Sequence, residues 1–371
     1  MRILQICSAR TLGGGERHLI DLTNALARRG HAMFAALATH SPLLTKLDAV
    51  PPENITRLRM RNALDLPSAL RLAQFVRKHH IEIVHAHIAR DYPLAALAAR
   101  FNTDTRFVIT RHVLFPINKL HALTLSNASG IIAVSKAVAR SLDEASVCDK
   151  RRITVIPNGI DVQKFARERQ RVSHDEPTDT QTNAPRSLRV GTIGHLAPIK
   201  GHEDFIRAAG IISARRTDVE FLIIGEDKSH TGEHRARLEQ LIDELKLNAR
   251  VSLTGWVDDP APLLHSLDVF VSAARTEPFG LVIVEAMASG LPVVATMSEG
   301  AREIIEDGAT GKLVPVGDPQ ALAAAIDALL VDAPQRAELG ERARLAALAN
   351  FSLERMVDAT ERVYEKALAP K

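Results

Sequence analysis

The chain has 371 residues, of which 46% are hydrophobic and 25% charged, the composition of a globular protein long enough for two domains. No run reaches the roughly 18 uncharged apolar residues that span a bilayer, and Cys7 and Cys148 lie far apart without a metal-binding or redox pattern. The first residues lead into a glycine-rich turn and lack the features of a secretory signal, which indicates a cytoplasmic protein.

The formal net charge of +3 conceals an asymmetry between the two halves of the chain. Residues 1–165 contain 23 Lys and Arg against 12 Asp and Glu, whereas the remaining residues contain 24 against 32. A basic half is typical of proteins that contact an anionic acceptor, an anionic membrane surface or nucleic acid. It can also reflect attraction between the two halves, so the charge alone leaves these alternatives open.

In chain order, apolar runs of strand length alternate with amphipathic helical stretches, which is typical of an α/β protein. The first run, Arg2–Cys7, precedes a helix predicted over 15–29, with Gly30 just past its end. A second helix, with a basic side formed by Arg71, Arg77 and Lys78, is predicted from Leu66 onward. Further strands of a largely parallel sheet are predicted at 33–39, 55–60, 81–87, 106–112, 130–135 and 153–157.

Residues 166–187 break this alternation, because the segment is polar and contains a single large aliphatic residue. We predict a mobile interdomain linker there. The alternation then resumes and predicts a second doubly wound domain, followed by a last helix over 353–368. Its strands are predicted at 188–194, 220–225, 251–256, 269–274, 292–296 and 312–316.

Two carboxylates eight positions apart, Glu277 and Glu285, flank the junction between the strand at 269–274 and the next helix. Pro278 predicts the helix start and Gly290 its end. Free N–H groups at such a start attract phosphate, and carboxylates accept hydrogen bonds from sugar hydroxyls, so the two together fit a sugar nucleotide. The alternative is an ordinary helix-start acid followed by a solvated one.

The segment Glu277-Pro-Phe-Gly-Leu-Val-Ile-Val-Glu285, followed by Ala-Met-Ala-Ser-Gly-Leu-Pro-Val-Val-Ala-Thr, resembles the donor site of the retaining glycosyltransferases of family 4. The resemblance implies an α/β GT-B fold, in which two doubly wound Rossmann-like domains face a central cleft. An acceptor-side domain would span 1–165, with 352–371 packing back onto it. The linker at 166–187 would lead to a nucleotide-sugar-binding domain at 188–351.

The function that this resemblance implies is transfer of a sugar, with retention of configuration, from a nucleoside diphosphate sugar to a saccharide or lipid-linked acceptor in cell-envelope glycan or glycolipid synthesis. A UDP-sugar is the favoured donor and a GDP-sugar the second choice. Neither a cofactor nor a metal is expected. The expected location is the cytoplasm, where the basic domain could contact the inner face of an anionic membrane, and nucleic acid is not an expected partner. The alternatives are a sugar-nucleotide epimerase and a non-catalytic binding protein.

In the predicted first domain, the turn Thr11-Leu-Gly-Gly-Gly-Glu16 joins the first strand to the first helix. The resemblance assigns Gly14 and Gly15 to donor binding and His112, at a strand end, to catalysis near the transferred sugar. Two more histidines, His85 and His87, share a face of one strand and suggest a metal pair. Because no third ligand is recognisable from the sequence, we interpret them as polar residues of the sheet edge.

In the predicted second domain, the resemblance assigns Lys200 to the donor diphosphate and to catalysis, together with Glu277, which would contact the sugar. Glu285 would accept ribose hydroxyls. His195 stands where many family members have arginine, so diphosphate binding would depend on Lys200 or on a protonated His195. The remaining positions assigned to donor binding contribute mainly backbone groups. They are Gly225, Val257, Phe279, Gly280 and Leu281.

Overall fold

The computed structural model describes residues 1–115, 119–166, 187–229 and 231–369. Their contacts divide the chain into two compact units: a first unit of Met1–Ile160 with the C-terminal stretch from Ser352, and a second unit of Asp161–Phe351. The predicted linker at 166–187 lies almost entirely outside the described residues. The described helices include none with the length and apolar character needed to cross a bilayer.

A parallel sheet forms the centre of the first unit, and its described strands number seven in the order β3-β2-β1-β4-β5-β6-β7. Continuous apolar runs form these strands because helices cover both faces of such a sheet. The bounds are β1 (Arg2–Cys7), β2 (Ala32–Ala38), β3 (Ile55–Leu58), β4 (Ile83–Ala86), β5 (Arg106–Arg111), β6 (Gly130–Ala133) and β7 (Ile153–Val155).

Helices connect and cover these strands, and the last helix of the chain joins them. The bounds are α1 (Gly14–Arg28), α2 (Leu66–Lys78), α3 (Tyr92–Arg100), α4 (Lys119–Leu125), α5 (Lys136–Glu144) and α14 (Leu353–Leu368). Helix α14 packs its buried Val363 and Tyr364 into the core of this unit. The predicted return of the last helix to the first domain is therefore confirmed.

The second unit has a parallel sheet whose described strands follow the order β10-β9-β8-β11-β12-β13. They are β8 (Leu188–Ile193), β9 (Val219–Ile224), β10 (Val251–Gly255), β11 (Val269–Ser272), β12 (Val293–Thr296) and β13 (Lys312–Val314). The helices are α6 (Val162–Ala166), α7 (His202–Ser213), α8 (Glu233–Glu244), α9 (Ala261–His265), α10 (Leu281–Ala288), α11 (Ala301–Ile304), α12 (Pro319–Val331) and α13 (Ala333–Asn350).

Every run predicted as a strand is a strand in the structure, with ends that move by at most three residues. The boundary between the units differs from the predicted one, because it falls after Ile160 and not after residue 165. Helix α6 belongs to the second unit, where His265 Nε2 donates to the carbonyl oxygen of Phe165 at 2.7 Å.

Candidate functional site

An ion pair between Lys200 and Glu277 lies at the carboxyl edge of the second unit's sheet. Lys200 precedes helix α7 and Glu277 follows strand β11, yet Lys200 Nζ lies 2.6 Å from Glu277 Oε2. The Glu277 side chain is 12% exposed and that of Lys200 25%, so both charged groups are largely withdrawn from water. The structure thus brings together the acid and the lysine that the sequence assigned to one site. At this distance the Lys200 ammonium donates a short, charge-assisted hydrogen bond to the Glu277 carboxylate.

The helix after Glu277 begins later than predicted. Helix α10 starts at Leu281 and not at Pro278, and Gly280 precedes it with a φ of 111°. Because that left-handed conformation strains any residue with a Cβ, the chain turns at Gly280 and the helix begins only afterwards. The amides at the helix start are therefore those of Leu281 and Val282, while Phe279 lies in the turn. Gly290, with a φ of 67°, follows the helix end as predicted.

The position of Glu277 is fixed by its backbone. Its carbonyl oxygen accepts a hydrogen bond from Gly300 N at 2.7 Å, and its N–H donates to Glu299 Oε2 at 3.3 Å. A Cβ at Gly300 would overlap the carbonyl oxygen of Phe279, so only glycine permits this approach. The loop that begins with Glu299 and Gly300 therefore holds the turn that presents Glu277.

Glycines also allow close backbone contacts between the segments that follow strands β8, β9 and β11. A Cβ at Gly225, which follows strand β9, would overlap the carbonyl oxygen of Gly194, which follows strand β8. A Cβ at Gly201 would overlap the carbonyl oxygen of Ala273. Strand ends packed this closely place backbone groups, rather than side chains, along the edge beside Lys200. Such an edge is where open α/β sheets bind ligands.

Glu285 lies in the second turn of helix α10 and is fully buried. A ligand hydroxyl therefore does not reach its carboxylate in this conformation. The prediction that Glu285 accepts ribose hydroxyls requires this side chain or its surroundings to move.

His195 stacks on Trp256, with ring centroids 5.7 Å apart and an interplanar angle of 9°. Trp256 is 40% exposed, so the indole is a surface ring beside the half-buried Val257, not a core anchor. Burial lowers the pKa of His195 to about 4, and the charges of Lys228 and Lys200 add to the shift. His195 is therefore neutral near pH 7, which removes the protonated histidine as a source of positive charge in the free protein.

A cation that the sequence analysis did not identify lies close to this edge. Arg275 follows strand β11, and its guanidinium lies 3.1 Å from Asp204 Oδ2 while remaining 53% exposed. The backbone N–H of Arg275 donates to the carbonyl oxygen of Ile199, the residue before Lys200. The signal available in the sequence was its position two residues before Glu277.

The first unit brings the predicted glycine turn and the predicted histidine together at the carboxyl edge of its own sheet. Gly14 is the exposed first residue of helix α1, and a Cβ at Gly15 would lie 3.4 Å from the His112 ring. His112 follows strand β5 and is half-buried. The helix start therefore contacts the imidazole directly.

His112 belongs to a cluster of histidines that is larger than the sequence suggested. His87 Nδ1 lies 3.4 Å from His112 Nε2, and the ring of His18 in helix α1 packs edge-on against His112 with centroids 4.7 Å apart. His18 and His87 are buried. His85 and His87 lie at the carboxyl end of strand β4, as expected, but both are buried, and two histidines that the sequence did not connect with them, His18 and His112, lie beside His87.

Family models describe both halves of the chain. Residues 12–164 match the model "Glycosyltransferase Family 4" and residues 175–346 match "Glycosyl transferases group 1". The chain is 29% identical over 360 residues to the lipopolysaccharide core biosynthesis glycosyltransferase LpsE of Rhizobium meliloti, covering 97% of this chain and 96% of the relative. It is 32% identical over 369 residues to the phosphatidyl-myo-inositol mannosyltransferase of Mycolicibacterium smegmatis, covering 92% and 88%.

Among solved structures, HepE of Anabaena in complex with UDP and glucose matches with a TM-score of 0.81 at 25% identity, covering 98% of each chain. These likenesses confirm the predicted GT-B fold class and the predicted glycosyltransferase class of enzyme. The chain therefore belongs to family 4 of the group 1 glycosyltransferases.

Proposed function

We propose that this glycosyltransferase moves a sugar, with retention of configuration, from a nucleoside diphosphate sugar, preferentially a UDP-sugar, to a saccharide or lipid-linked acceptor of the cell envelope. The observation that carries this proposal is the pair of Lys200 and Glu277, 2.6 Å apart, at the strand-helix junction where the family motif lies. A cation for a diphosphate and an acid for sugar hydroxyls are thereby held side by side.

Each assigned residue has a defined part in this proposal. Lys200 stabilises the negative charge of the departing diphosphate, supported by the amides at the start of helix α10. Glu277 accepts hydroxyls of the transferred sugar. Glu285 accepts ribose hydroxyls after local rearrangement, and the backbone at Gly225 and Val257 contacts the nucleotide. In the first unit, Gly14, Gly15 and His112 contribute to donor binding and transfer.

The relatives support both the donor and the pathway. The solved structures of HepE contain UDP, UDP and glucose, or UDP-glucose. The names of LpsE and of the mannosyltransferase refer to a lipopolysaccharide core and to a phosphatidyl-inositol lipid. We therefore propose that the protein acts at the cytoplasmic side of the membrane, on a saccharide or lipid-linked acceptor.

A panel of nucleotide sugars tests this function. Purified protein is incubated with UDP- and GDP-sugars in EDTA, with saccharide and lipid-linked acceptors, and the anomeric configuration of any product is determined. We expect transfer from a UDP-sugar, retained configuration and no need for a metal. Calorimetric titration with UDP and GDP should show binding. If neither UDP nor GDP binds, the proposed donor is wrong. If the product has the inverted anomeric configuration, the proposed retaining mechanism is wrong.

Replacing His195 with arginine should strengthen the binding of UDP at pH 7. His195 is neutral there because its pKa is about 4, whereas arginine is charged and binds phosphate in a bidentate manner. We expect a dissociation constant about fivefold lower, equivalent to roughly 1 kcal/mol for a partly exposed ion pair. The control Gln240→Arg adds the same charge at an exposed position of helix α8. Equal or weaker binding by His195→Arg would contradict the expectation.

The membrane contact that we propose involves a defined surface of the first unit, the basic apolar patch, which comprises strand β3, helix α2 and the loop between them. Leu64, Leu66 and Leu70 are 74%, 54% and 46% exposed. The same strand, loop and helix contain six exposed cations: Arg57, Arg59, Arg61, Arg71, Arg77 and Lys78. Apolar side chains among cations match the chemistry of an anionic lipid surface.

Binding to vesicles tests the basic apolar patch. We expect cosedimentation with phosphatidylglycerol vesicles that weakens at high salt, and little binding to phosphatidylcholine alone. Changing Leu64, Leu66 and Leu70 to serine should weaken binding at least about tenfold, since each leucine loses roughly 1 kcal/mol or more of apolar burial. The control Val331→Ser/Leu345→Ser removes exposed apolar side chains from the second unit. Equal losses in the two variants would exclude the patch.

A further inference from the structure

Three histidines from three different elements converge at the carboxyl edge of the first unit's sheet. His18 lies in helix α1, His87 follows strand β4 and His112 follows strand β5. One ring nitrogen of each lies within 4.8 Å of one nitrogen of each of the others. His87 Nδ1 and His112 Nε2 are 3.4 Å apart, close to the separation of two imidazole nitrogens bound to one metal ion at about 2.0–2.1 Å each.

The hydrogen bonds of His87 favour a ligand at this point. Its Nε2 lies 2.8 Å from Gln5 Oε1, and with the amide in this orientation the oxygen accepts, so the proton resides on Nε2. The lone pair then resides on Nδ1, the nitrogen that faces His112. A histidine whose distal N–H is held by a buried oxygen is the arrangement that orients imidazole ligands in metalloproteins.

His18 provides a second and independent sign of a ligand. It is buried, and the Asn158 side chain is near enough to hydrogen-bond its ring, although neither ring nitrogen has a partner at full hydrogen-bond geometry. Burial lowers the pKa of His18 to about 4, while the neighbouring Asn158 side chain opposes the shift. Burial likewise lowers the pKa values of His87 and His112. Each neutral imidazole has one nitrogen lone pair, which is the donor that a metal ion needs.

We propose that His18, His87 and His112 form a binding site for one divalent transition-metal ion of the zinc type. Three imidazoles suit Zn²⁺, Co²⁺ or Ni²⁺, whereas Mg²⁺ and Ca²⁺ prefer oxygen ligands. His18 and His87 are buried whereas His112 is half-buried, so the site is nearest to solvent on the His112 side.

The charges near the three histidines predict that a metal ion binds reversibly. The positive charge of Arg111 contributes to the lowered pKa of His112, and the same charge repels a bound cation. The metal thus binds more weakly than at a site with anionic ligands and is removed by chelators. Because our proposed function uses His112 in transfer, an ion on its Nε2 makes this imidazole unavailable, so the site inhibits transfer.

Cobalt absorption tests the site without reference to activity. Full-length protein freed of metal with EDTA is titrated with Co²⁺, whose visible bands reveal tetrahedral coordination by nitrogen, and Zn²⁺ is then added to displace it. We expect one equivalent to bind in the wild type. His18→Gln and His87→Gln should abolish the bands. Gln5→Met, which removes only the partner of His87 Nε2, should weaken binding by about 10- to 100-fold.

The control is His79→Gln, which removes a histidine of the same unit outside the cluster, and it should bind as the wild type does. Melting curves and circular dichroism show whether each variant is folded. Absence of a tetrahedral spectrum in the wild type, or equal binding by folded His18→Gln, His87→Gln and wild-type protein, overturns the proposal. If the histidine variants do not fold, Gln5→Met is the deciding variant. An affinity of Gln5→Met for Co²⁺ equal to that of the wild type also overturns the proposal.

The inhibitory consequence, which rests on the proposed function, has its own measurement. Zn²⁺ should lower the rate of transfer along the same concentration curve as it displaces Co²⁺, EDTA should restore the rate, and Gln5→Met should need about 10- to 100-fold more Zn²⁺. A protein that binds the metal but transfers no sugar contradicts the proposed function and leaves the site standing. Active protein that binds Zn²⁺ at this site without inhibition excludes the inhibitory role.

Discussion

Replacing Glu277 with glutamine is expected to reduce the rate of sugar transfer by about 10²- to 10³-fold, the loss typical of removing one charge-stabilising group from an active site. Glutamine keeps the volume and can still accept a hydrogen bond from Lys200, but it lacks the negative charge. The backbone of Glu277 is held by Gly300 and Glu299, so the turn should survive the change. The melting temperature should therefore move by only a few degrees.

Steady-state kinetics with the preferred donor, together with calorimetric binding of UDP, measure this effect. If Glu277 contacts the sugar and not the nucleotide, kcat should fall while the affinity for UDP changes little. The control Glu306→Gln removes an exposed carboxylate from the same unit. Transfer by Glu277→Gln within twofold of the wild type would exclude this residue from the mechanism.

Much of the fold could be predicted because its signals are local. Strands buried on both faces are continuous apolar runs, so each of the predicted runs became a strand, and the last helix has its predicted bounds, Leu353–Leu368. Its start carries a real cap, because Ser352 Oγ accepts from Arg355 N although the acid of a capping box is missing. Local periodicity and end signals were sufficient for these elements.

The error at helix α10 shows where local signals are insufficient. A proline suits both the first turn of a helix and the turn before it, so Pro278 did not decide between them. The start of the helix is set by the left-handed conformation of Gly280 and by the hydrogen bond from Gly300 N to the carbonyl oxygen of Glu277. Because Gly300 is distant in sequence, a local pattern does not predict this contact. The same holds for the burial of Glu285, which depends on packing around the helix rather than on its own sequence.

The histidine cluster was missed for a topological reason. His87 and His112 follow adjacent strands, which the sheet order places side by side, so the rule that parallel strands end at one edge could have paired them. His18 comes from helix α1, and its inward orientation depends on how that helix packs on the sheet. The hydroxyl of the α14 side chain Tyr364 lies 2.6 Å from Nδ1 of His85, the strand neighbour of His87, so the surroundings of the cluster also depend on the last helix of the chain.

Replacing Lys200 with methionine should weaken UDP binding and slow transfer together, because the lysine acts on the diphosphate both before and during its departure. We expect kcat/KM to fall by about 10²- to 10³-fold. The change also leaves the carboxylate of Glu277 without its cation in a largely buried position, so the variant should melt at a lower temperature. The control Arg215→Met removes an exposed cation of the same unit.

A double variant separates these two roles. In Lys200→Met/Glu277→Gln no buried charge remains unpaired, so the melting temperature should recover most of what Lys200→Met loses, as expected for groups that interact directly. Transfer should not recover, since both the cation for the diphosphate and the acid for the sugar are absent. Recovery of transfer along with stability would mean that the 2.6 Å pair supports only the fold. Calorimetry, kinetics and melting curves on the four proteins of this cycle therefore distinguish a catalytic pair from a structural one.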